Sequence, residues 1–166
     1  MQTSINFRKI CGFTLVELLI TLALLSIVAL SAMPLAEISS TRAKEQELKR
    51  ALRHIRVALD QYKSAADLGV IPKGLGESGY PPSLDMLTQP LGGAEKGNGT
   101  TQLPLILLRD LPRDPFNDDP SLEASQTWST RSYLSPPEDP QPGADVFDVH
   151  TKSPRVGLNG IAYQKW

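Results

Sequence analysis

The chain has 166 residues, of which 40% are hydrophobic and 21% charged, and its formal net charge is −1. This length predicts one modest domain with attached segments, and the near-neutral balance points to no nucleic-acid partner. Charge is unevenly distributed. Residues 40–63 carry seven Lys/Arg and three Asp/Glu, so their net charge is 7 − 3 = +4. Residues 64–166 carry eight Lys/Arg and thirteen Asp/Glu, so their net charge is 8 − 13 = −5. The single cysteine, Cys11, excludes an intramolecular disulfide, so packing or an ion must hold the globular part together.

The first predicted element is an apolar helix from Phe13 to Met33, which is 33 − 13 + 1 = 21 residues with one charge, Glu17. About 20 apolar residues suffice to cross a bilayer as a helix. The cations Arg8 and Lys9 before the span favour a cytoplasmic amino terminus, although the cations from residue 42 onward leave the charge rule ambiguous. We therefore expect one membrane-spanning helix at 13–35.

A cleaved secretory signal is the alternative interpretation of this segment. Its basic start is present, and Ala29-Leu30-Ser31 would serve as a small-residue cleavage site. The apolar run is longer than a usual signal core, however. It also contains Glu17, and a carboxylate costs about 2.5–3.5 kcal/mol at the centre of a membrane helix. An ionisable residue in such a segment indicates a function rather than an accident.

The stretch from Arg8 to Leu18, RKICGFTLVEL, resembles the type III signal of type IV pilins and type II secretion pseudopilins. The resemblance implies that a prepilin peptidase cuts between Gly12 and Phe13, which leaves 166 − 12 = 154 residues, and that Phe13 is then N-methylated. It also implies that Glu17 pairs with the amine of a neighbouring subunit and sets the register of a fibre. Pairing of Glu17 with its own Phe13 amine, or displacement of its side chain to the membrane surface, remains open.

A second helical pattern follows the apolar segment. Pro34 lacks an amide hydrogen, so it either kinks the helix or marks the membrane exit. If the helix restarts beyond it, residues 39–41 provide candidate caps. An apolar stripe then recurs at intervals of four and three residues, which predicts an amphipathic helix packed on the head: Leu48, Leu52, Ile55, Leu59 and Tyr62. The opposite, solvated face is predicted to carry Lys49, Arg50, Arg53, Arg56, Asp60 and Lys63.

The remaining segment, 67–166, is predicted to be a globular head. Trp128–Leu134 and Val146–His150 are typical of strands, a short helix is expected from Ser83, and Leu103–Leu108 is expected to be buried. Antiparallel strands on the apolar stripe give an α+β, pilin-like fold. The predicted organisation is a leader at 1–12, an assembly helix at 13–35, a stem helix at 36–66 and the head.

Four short pieces of the head also resemble the major pseudopilin: Tyr80–Leu84, Leu111–Phe116, Val146–Val149 and the terminal Trp166. Members of that family bind calcium through an acidic loop near the carboxyl end. The corresponding residues here, Thr151–Gly160, contain no carboxylate and two cations. Because calcium prefers carboxylate oxygens, we expect no calcium, other metal or cofactor in this loop. Residues 117–119 are interpreted as a solvated turn, and Leu111–Phe116 as a proline-bounded turn with Phe116 in the core.

No arrangement of nucleophile, base and oxyanion site is apparent, and the GxGxxG letters at 74–79 are interpreted as a flexible loop. His54 and His150 lack metal-ligand companions at short spacing. The favoured hypothesis is a non-enzymatic pseudopilin of type II secretion, anchored in the bacterial inner membrane with its head in the periplasm. The implied partners are further copies and sister pseudopilins, prepilin peptidase, an inner-membrane assembly platform and membrane lipid. A type IV or competence-type minor pilin, and a secreted periplasmic binding module, are the alternatives.

Overall fold

The computed structural model describes residues 13–92 and 104–166, except for the side chains of 31–35. Its backbone forms two compact units, one ending at Thr41 and one from Arg42 to Trp166. The described elements are helix α1 (Leu15–Asp67), strand β1 (Trp128–Arg131), strand β2 (Asp148–Thr151) and three short 3₁₀ helices. The 3₁₀ helices are Leu84–Thr88, Ser125–Thr127 and Tyr163–Lys165. A long amino-terminal helix packed on a small antiparallel sheet is an α+β, pilin-like arrangement, as the sequence predicted.

Helix α1 begins with a side-chain cap. The Thr14 hydroxyl oxygen accepts a hydrogen bond from the Glu17 N–H at 3.2 Å, and the Thr14 carbonyl accepts one from the Leu18 N–H at 3.1 Å. These bonds satisfy amide groups that have no partner inside the first helical turn. The helix then continues through residue 34 and residues 39–41 without interruption, so it does not restart there and residues 39–41 are not its caps.

The carboxyl-terminal part of α1 buries the predicted apolar stripe. Each of its five residues is buried: Leu48, Leu52, Ile55, Leu59 and Tyr62. Head residues complete this core, among them Leu87, Val149 and Tyr163. The chain leaves the helix at Gly69, whose φ of 71° is readily accessible only to glycine, and the Val70 N–H returns to the Ala65 carbonyl at 2.9 Å.

Strands β1 and β2 pair antiparallel, with Trp128 opposite Thr151 and Arg131 opposite Asp148. The two predicted strands and their pairing are confirmed, but both are short. The first ends at Arg131 rather than Leu134, and the second starts at Asp148 rather than Val146. Val146 instead donates its N–H to the Pro81 carbonyl at 2.8 Å, which ties the start of the second strand to a different loop.

Two predictions for the head need correction. The segment expected to be buried at 103–108 is buried only at Leu108, whereas Leu105 and Ile106 are exposed and Leu103 lies outside the described residues. Leu105 forms one isolated bridge with Leu91, and Leu107 is partly buried against the core. The helix expected from Ser83 is a 3₁₀ helix at Leu84–Thr88, and the Ser83 side chain makes no cap hydrogen bond.

Candidate assembly site

The amino-terminal part of α1 exposes nearly all of its large apolar side chains. Phe13, which precedes the helix, is 77% exposed. The exposed apolar residues of the helix itself are Leu15, Val16, Leu18, Leu19, Ile20, Leu22, Leu24, Leu25, Ile27, Val28 and Leu30. Contiguous exposed apolar surface of this extent marks a site that contacts another apolar partner or a membrane. None of the helices in the described ranges combines the length and the sustained apolarity that a membrane crossing requires.

Glu17 is the only charged residue on this apolar stretch of the helix. Its backbone N–H is engaged by Thr14, but its exposed carboxylate makes no hydrogen bond or ion pair with any described residue. The spacing Thr14-x-x-Glu17 is that of a capping box. This signal is present in the sequence, but the cap was not predicted from it. Within residues 13–92 and 104–166 the Glu17 carboxylate thus has no partner.

The other predicted assembly residues are only partly visible. Gly12 lies outside the described residues, so the structure gives no geometry for the cleavage site between Gly12 and Phe13. Phe13 precedes α1 and is exposed. Pro34 lies within the helical backbone, but its side chain and those of its four neighbours at 31–33 and 35 fall outside the described part. Cleavage, methylation and the kink at Pro34 remain predictions.

Within the second unit, two charged residues of α1 hold the carboxyl terminus. Glu45 is buried, and its carboxylate accepts hydrogen bonds from the Leu158 N–H at 2.7 Å and the Tyr163 hydroxyl at 3.0 Å. Burial raises the pKa of the Tyr163 phenol to about 12, and the Glu45 hydrogen bond and charge add to this effect. Nothing in the local sequence distinguishes Glu45 from a solvated charge on a basic helix, so its burial was not predicted.

Arg56 was assigned to the solvated face, and this is wrong. Its half-buried guanidinium donates to the Asp148 carboxylate at 2.7 Å, to the Val149 carbonyl at 3.2 Å and to the Trp166 carbonyl at 2.8 Å. A long guanidinium side chain can reach around a helix and present several donors at once. Arg56 therefore fastens both β2 and the chain end to α1.

Asp114 is a second buried carboxylate that the sequence analysis passed over. It is 2% exposed, accepts the Phe116 N–H at 2.9 Å and is hydrogen-bonded to the Thr151 hydroxyl. The Thr151 oxygen in turn accepts the Ser153 N–H at 3.0 Å. This chain of bonds connects the Leu111–Phe116 turn with the start of the 151–160 loop. A buried carboxylate with all these partners has a structural role in the head.

The amino-terminal geometry corresponds to a known sequence signature. Residues 7–33 match the prokaryotic N-terminal methylation motif. This match supports a pilin-like chain. A search of curated proteins found no significant match, and neither did a search of solved structures. The match covers the exposed apolar helix and Glu17, and it leaves the head to be understood from its own contacts.

Two of the short pieces that resemble the major pseudopilin, Leu111–Phe116 and Trp166, are connected through Tyr163. The Trp128 indole N–H donates to the Pro112 carbonyl at 2.8 Å, and Phe116 stacks on Tyr163 with ring centroids 4.3 Å apart. Tyr163 also contacts the terminal Trp166 edge to face at 4.9 Å. Phe116 is partly buried against the core, in agreement with its predicted position. These two pieces thus pack together near the carboxyl terminus.

The loop at 151–160 is held by protein groups. Thr151 is bonded to Asp114, Ser153 to the Thr151 hydroxyl oxygen, and Leu158 to Glu45. Gly157 is buried where an added Cβ would lie 2.6 Å from a Trp166 ring carbon, so close packing requires glycine there. Within residues 13–92 and 104–166, no group of three or more His, Cys, Asp or Glu residues is placed to hold a metal ion. Absence of a family-type calcium site in this loop remains a proposal.

Proposed function

We propose that this chain is a pseudopilin of a type II protein secretion system, polymerising through α1 into a short periplasmic fibre that drives export. The observation that carries the proposal is the methylation motif at 7–33, which includes the exposed apolar start of α1, where the Glu17 carboxylate is unpartnered in the described part of the chain. In this role the chain is a non-enzymatic subunit and the substrate of a processing peptidase.

The chemistry of assembly follows from the residues at the start of α1. Hydrolysis of the peptide bond between Gly12 and Phe13 would leave a new amine on Phe13, which remains positively charged after a single methylation. A carboxylate in apolar surroundings is stable only when it is paired, so Glu17 would accept the Phe13 amine of a neighbouring subunit. Because each subunit offers one amine and one carboxylate, this pairing fixes the axial register as helices pack side by side.

The proposed setting is the bacterial inner membrane. The apolar part of α1 would be held in the membrane with the leader in the cytoplasm and the head in the periplasm, until an assembly platform draws the subunit into the fibre. Prepilin peptidase, sister pseudopilins and membrane lipid are the remaining proposed partners. Secretion is favoured over a pilus because of the four head pieces and because no cysteine follows Cys11 that could close the carboxyl-terminal disulfide loop of many pilins.

The proposal is tested by mass spectrometry of the mature amino terminus, combined with a substitution. In cells that contain a prepilin peptidase and an assembly platform, we expect a chain that begins with N-methyl-Phe13. Glu17→Gln should be processed normally but lose fibre assembly, because a neutral amide cannot pair with an amine as a carboxylate does. Glu37→Gln is the matched control, since Glu37 is an exposed glutamate on the same helix.

Two results would contradict this function. A mature chain that starts near Ala32 or Met33 would have lost the apolar helix and would indicate a secreted module. Normal assembly and export by Glu17→Gln would remove the proposed mechanism even if cleavage at Gly12 were correct. Loss of assembly in both Glu17→Gln and Glu37→Gln would show that the helix tolerates no change and would not support a specific role of Glu17.

A further inference from the structure

The cations of the amphipathic part of α1 fall into two groups. Lys44, Arg56 and Lys63 each pair with a carboxylate of the second unit, with N···O distances of 3.4, 2.7 and 2.5 Å to Asp118, Asp148 and Asp67. Arg53 is exposed and forms no hydrogen bond or ion pair with any described residue, and Arg50 bonds only to the Gln46 carbonyl on its own helix. The structure thus leaves part of the basic surplus without a partner.

These free cations line a groove of about 720 Å³ between α1 and the turn at 112–115. We call it the basic groove; it is lined by Glu47, Arg50, Ala51, Arg53, His54, Val57, Pro112, Arg113 and Pro115. With neutral histidine its formal charge is 3 − 1 = +2, from three arginines and one glutamate. Arg113 donates hydrogen bonds to the Asp119 and Leu122 carbonyls. Arg50 and Arg53 remain able to donate hydrogen bonds to an incoming carboxylate. Val57 adds an apolar side chain that is 47% exposed.

A loop with the opposite charge lies elsewhere on the same unit. This acidic loop, residues 134–140, reads Leu-Ser-Pro-Pro-Glu-Asp-Pro and carries a charge of −2. Its backbone is fixed by hydrogen bonds from Arg131 to the Ser135 carbonyl at 3.1 Å and from the Gln141 N–H to the Ser135 hydroxyl oxygen at 2.8 Å. Glu138 is exposed and unbonded to any described residue, and Leu134 is 90% exposed.

We propose that the acidic loop of one copy docks in the basic groove of the next copy, with Glu138 near Arg50 and Arg53 and Leu134 near Val57. This inference rests on the proposed function, because it identifies a head contact within the same fibre. Glu138 is exposed and forms no hydrogen bond or ion pair with a described residue of its own copy, and in the proposed contact a second copy supplies its partner. The two surfaces share no residue, and such a heterologous contact repeats from copy to copy into an open filament when it does not close into a ring.

Charge complementarity favours a second copy over an anionic lipid surface. Lipid headgroups would satisfy Arg50 and Arg53 but would not use Glu138 or cover Leu134. A loop that is already fixed by internal hydrogen bonds also loses little conformational freedom on docking. Like charges placed in contact are strongly unfavourable, so reversing a charge in either the basic groove or the acidic loop should weaken this contact.

The test is a charge swap in the full-length chain, produced with its processing and assembly partners. Arg53→Glu and Glu138→Arg should each reduce the fraction of chain in sedimentable fibres by about tenfold, and the two together should restore most of it. Asp85→Arg is the matched control, since Asp85 is an exposed head carboxylate outside both surfaces, and it should leave the fraction unchanged.

A cross-link gives an independent measurement. In a Cys11→Ser background the chain has no cysteine, so Arg53→Cys with Glu138→Cys should yield disulfide-linked multimers upon mild oxidation, while either substitution alone should yield few. If neither charge reversal changed the fraction of processed chain in fibres, or if the double swap did not restore assembly, this inference alone would be overturned. Weaker binding of Arg53→Glu to anionic vesicles, with no effect of Glu138→Arg, would assign the groove to lipid instead. An unaltered chain that is neither cut at Gly12 nor assembled would overturn the proposed function and this contact with it.

Discussion

At the scale of single residues, the head contains buried carboxylates that accept hydrogen bonds from distant parts of the chain. Glu45 accepts the Tyr163 hydroxyl at 3.0 Å, and Asp114 bonds to Thr151 in the interior. Loss of one partner from such a pair leaves the other unsatisfied, which costs about 1–3 kcal/mol. These residues therefore matter more to stability than the exposed charges that surround them in the sequence.

Tyr163 gives a prediction about pH. The pKa of its phenol in the folded chain is about 12, compared with a model-peptide value of 10.0, because burial and Glu45 disfavour the phenolate. The folded state therefore keeps this proton to higher pH than the unfolded state does. The contribution to stability is complete below pH 10 and is lost as pH rises through about 12.

The measurement is the free energy of unfolding as a function of pH for the unaltered chain and for Tyr163→Phe. The difference in unfolding free energy between the two chains should be constant at neutral pH. Over the alkaline range the unaltered chain should lose on the order of 2 kcal/mol of stability relative to Tyr163→Phe. Parallel curves through that range would contradict the raised pKa of Tyr163. Tyr62 and Tyr80, whose pKa values are also raised by burial, are present in both chains and cancel in the comparison.

At the scale of elements, α1 changes character along its length. Its beginning is apolar and exposed, whereas from Glu45 onward one face is buried by the head. The buried face is the one whose spacing repeats every four and three residues, so the packing of this part follows from helical periodicity. The contacts of Arg56 do not follow from helical periodicity, because the groups that its side chain reaches depend on where β2 and the chain end lie.

The stripe predicts a contrast between two neighbouring β-branched residues of α1. Ile55 is fully buried and Val57 is 47% exposed. Ile55→Ala should destabilise the chain by about 2–5 kcal/mol, because it removes buried methyl groups and leaves a cavity. Val57→Ala should change stability by less than about 1 kcal/mol. Chemical denaturation of the purified full-length chain measures both, and equal losses would mean that the stripe is not the core.

At the scale of the whole molecule, the second unit closes by bringing its carboxyl terminus back to α1. Arg56 binds the Trp166 carbonyl, Glu45 binds the Leu158 N–H, and Lys49 lies 4.4 Å from the Trp166 ring centre. These contacts hold the loop at 151–160 and the residues after it on α1 through protein groups.

This closure predicts that calcium has no effect on the head. Titration calorimetry with calcium should give no binding heat at micromolar concentrations, and a chelator should leave the thermal midpoint unchanged. The physical reason is that the loop at 151–160 contains no carboxylate, while calcium prefers several oxygen ligands that include carboxylates. Binding at micromolar strength, or a lower midpoint with chelator, would mean that ligands from elsewhere complete a site.

The sequence by itself determined the long helix, its buried stripe, the antiparallel pairing of two strands and the placement of Glu17 on an apolar segment. These properties depend on period, composition and short motifs, which are local. Only the tertiary structure decided that Glu45, Arg56 and Asp114 are partnered inside the head and that Leu105 and Ile106 are exposed. Such outcomes depend on which distant segments meet, and no local pattern of apolar and charged residues contains that information.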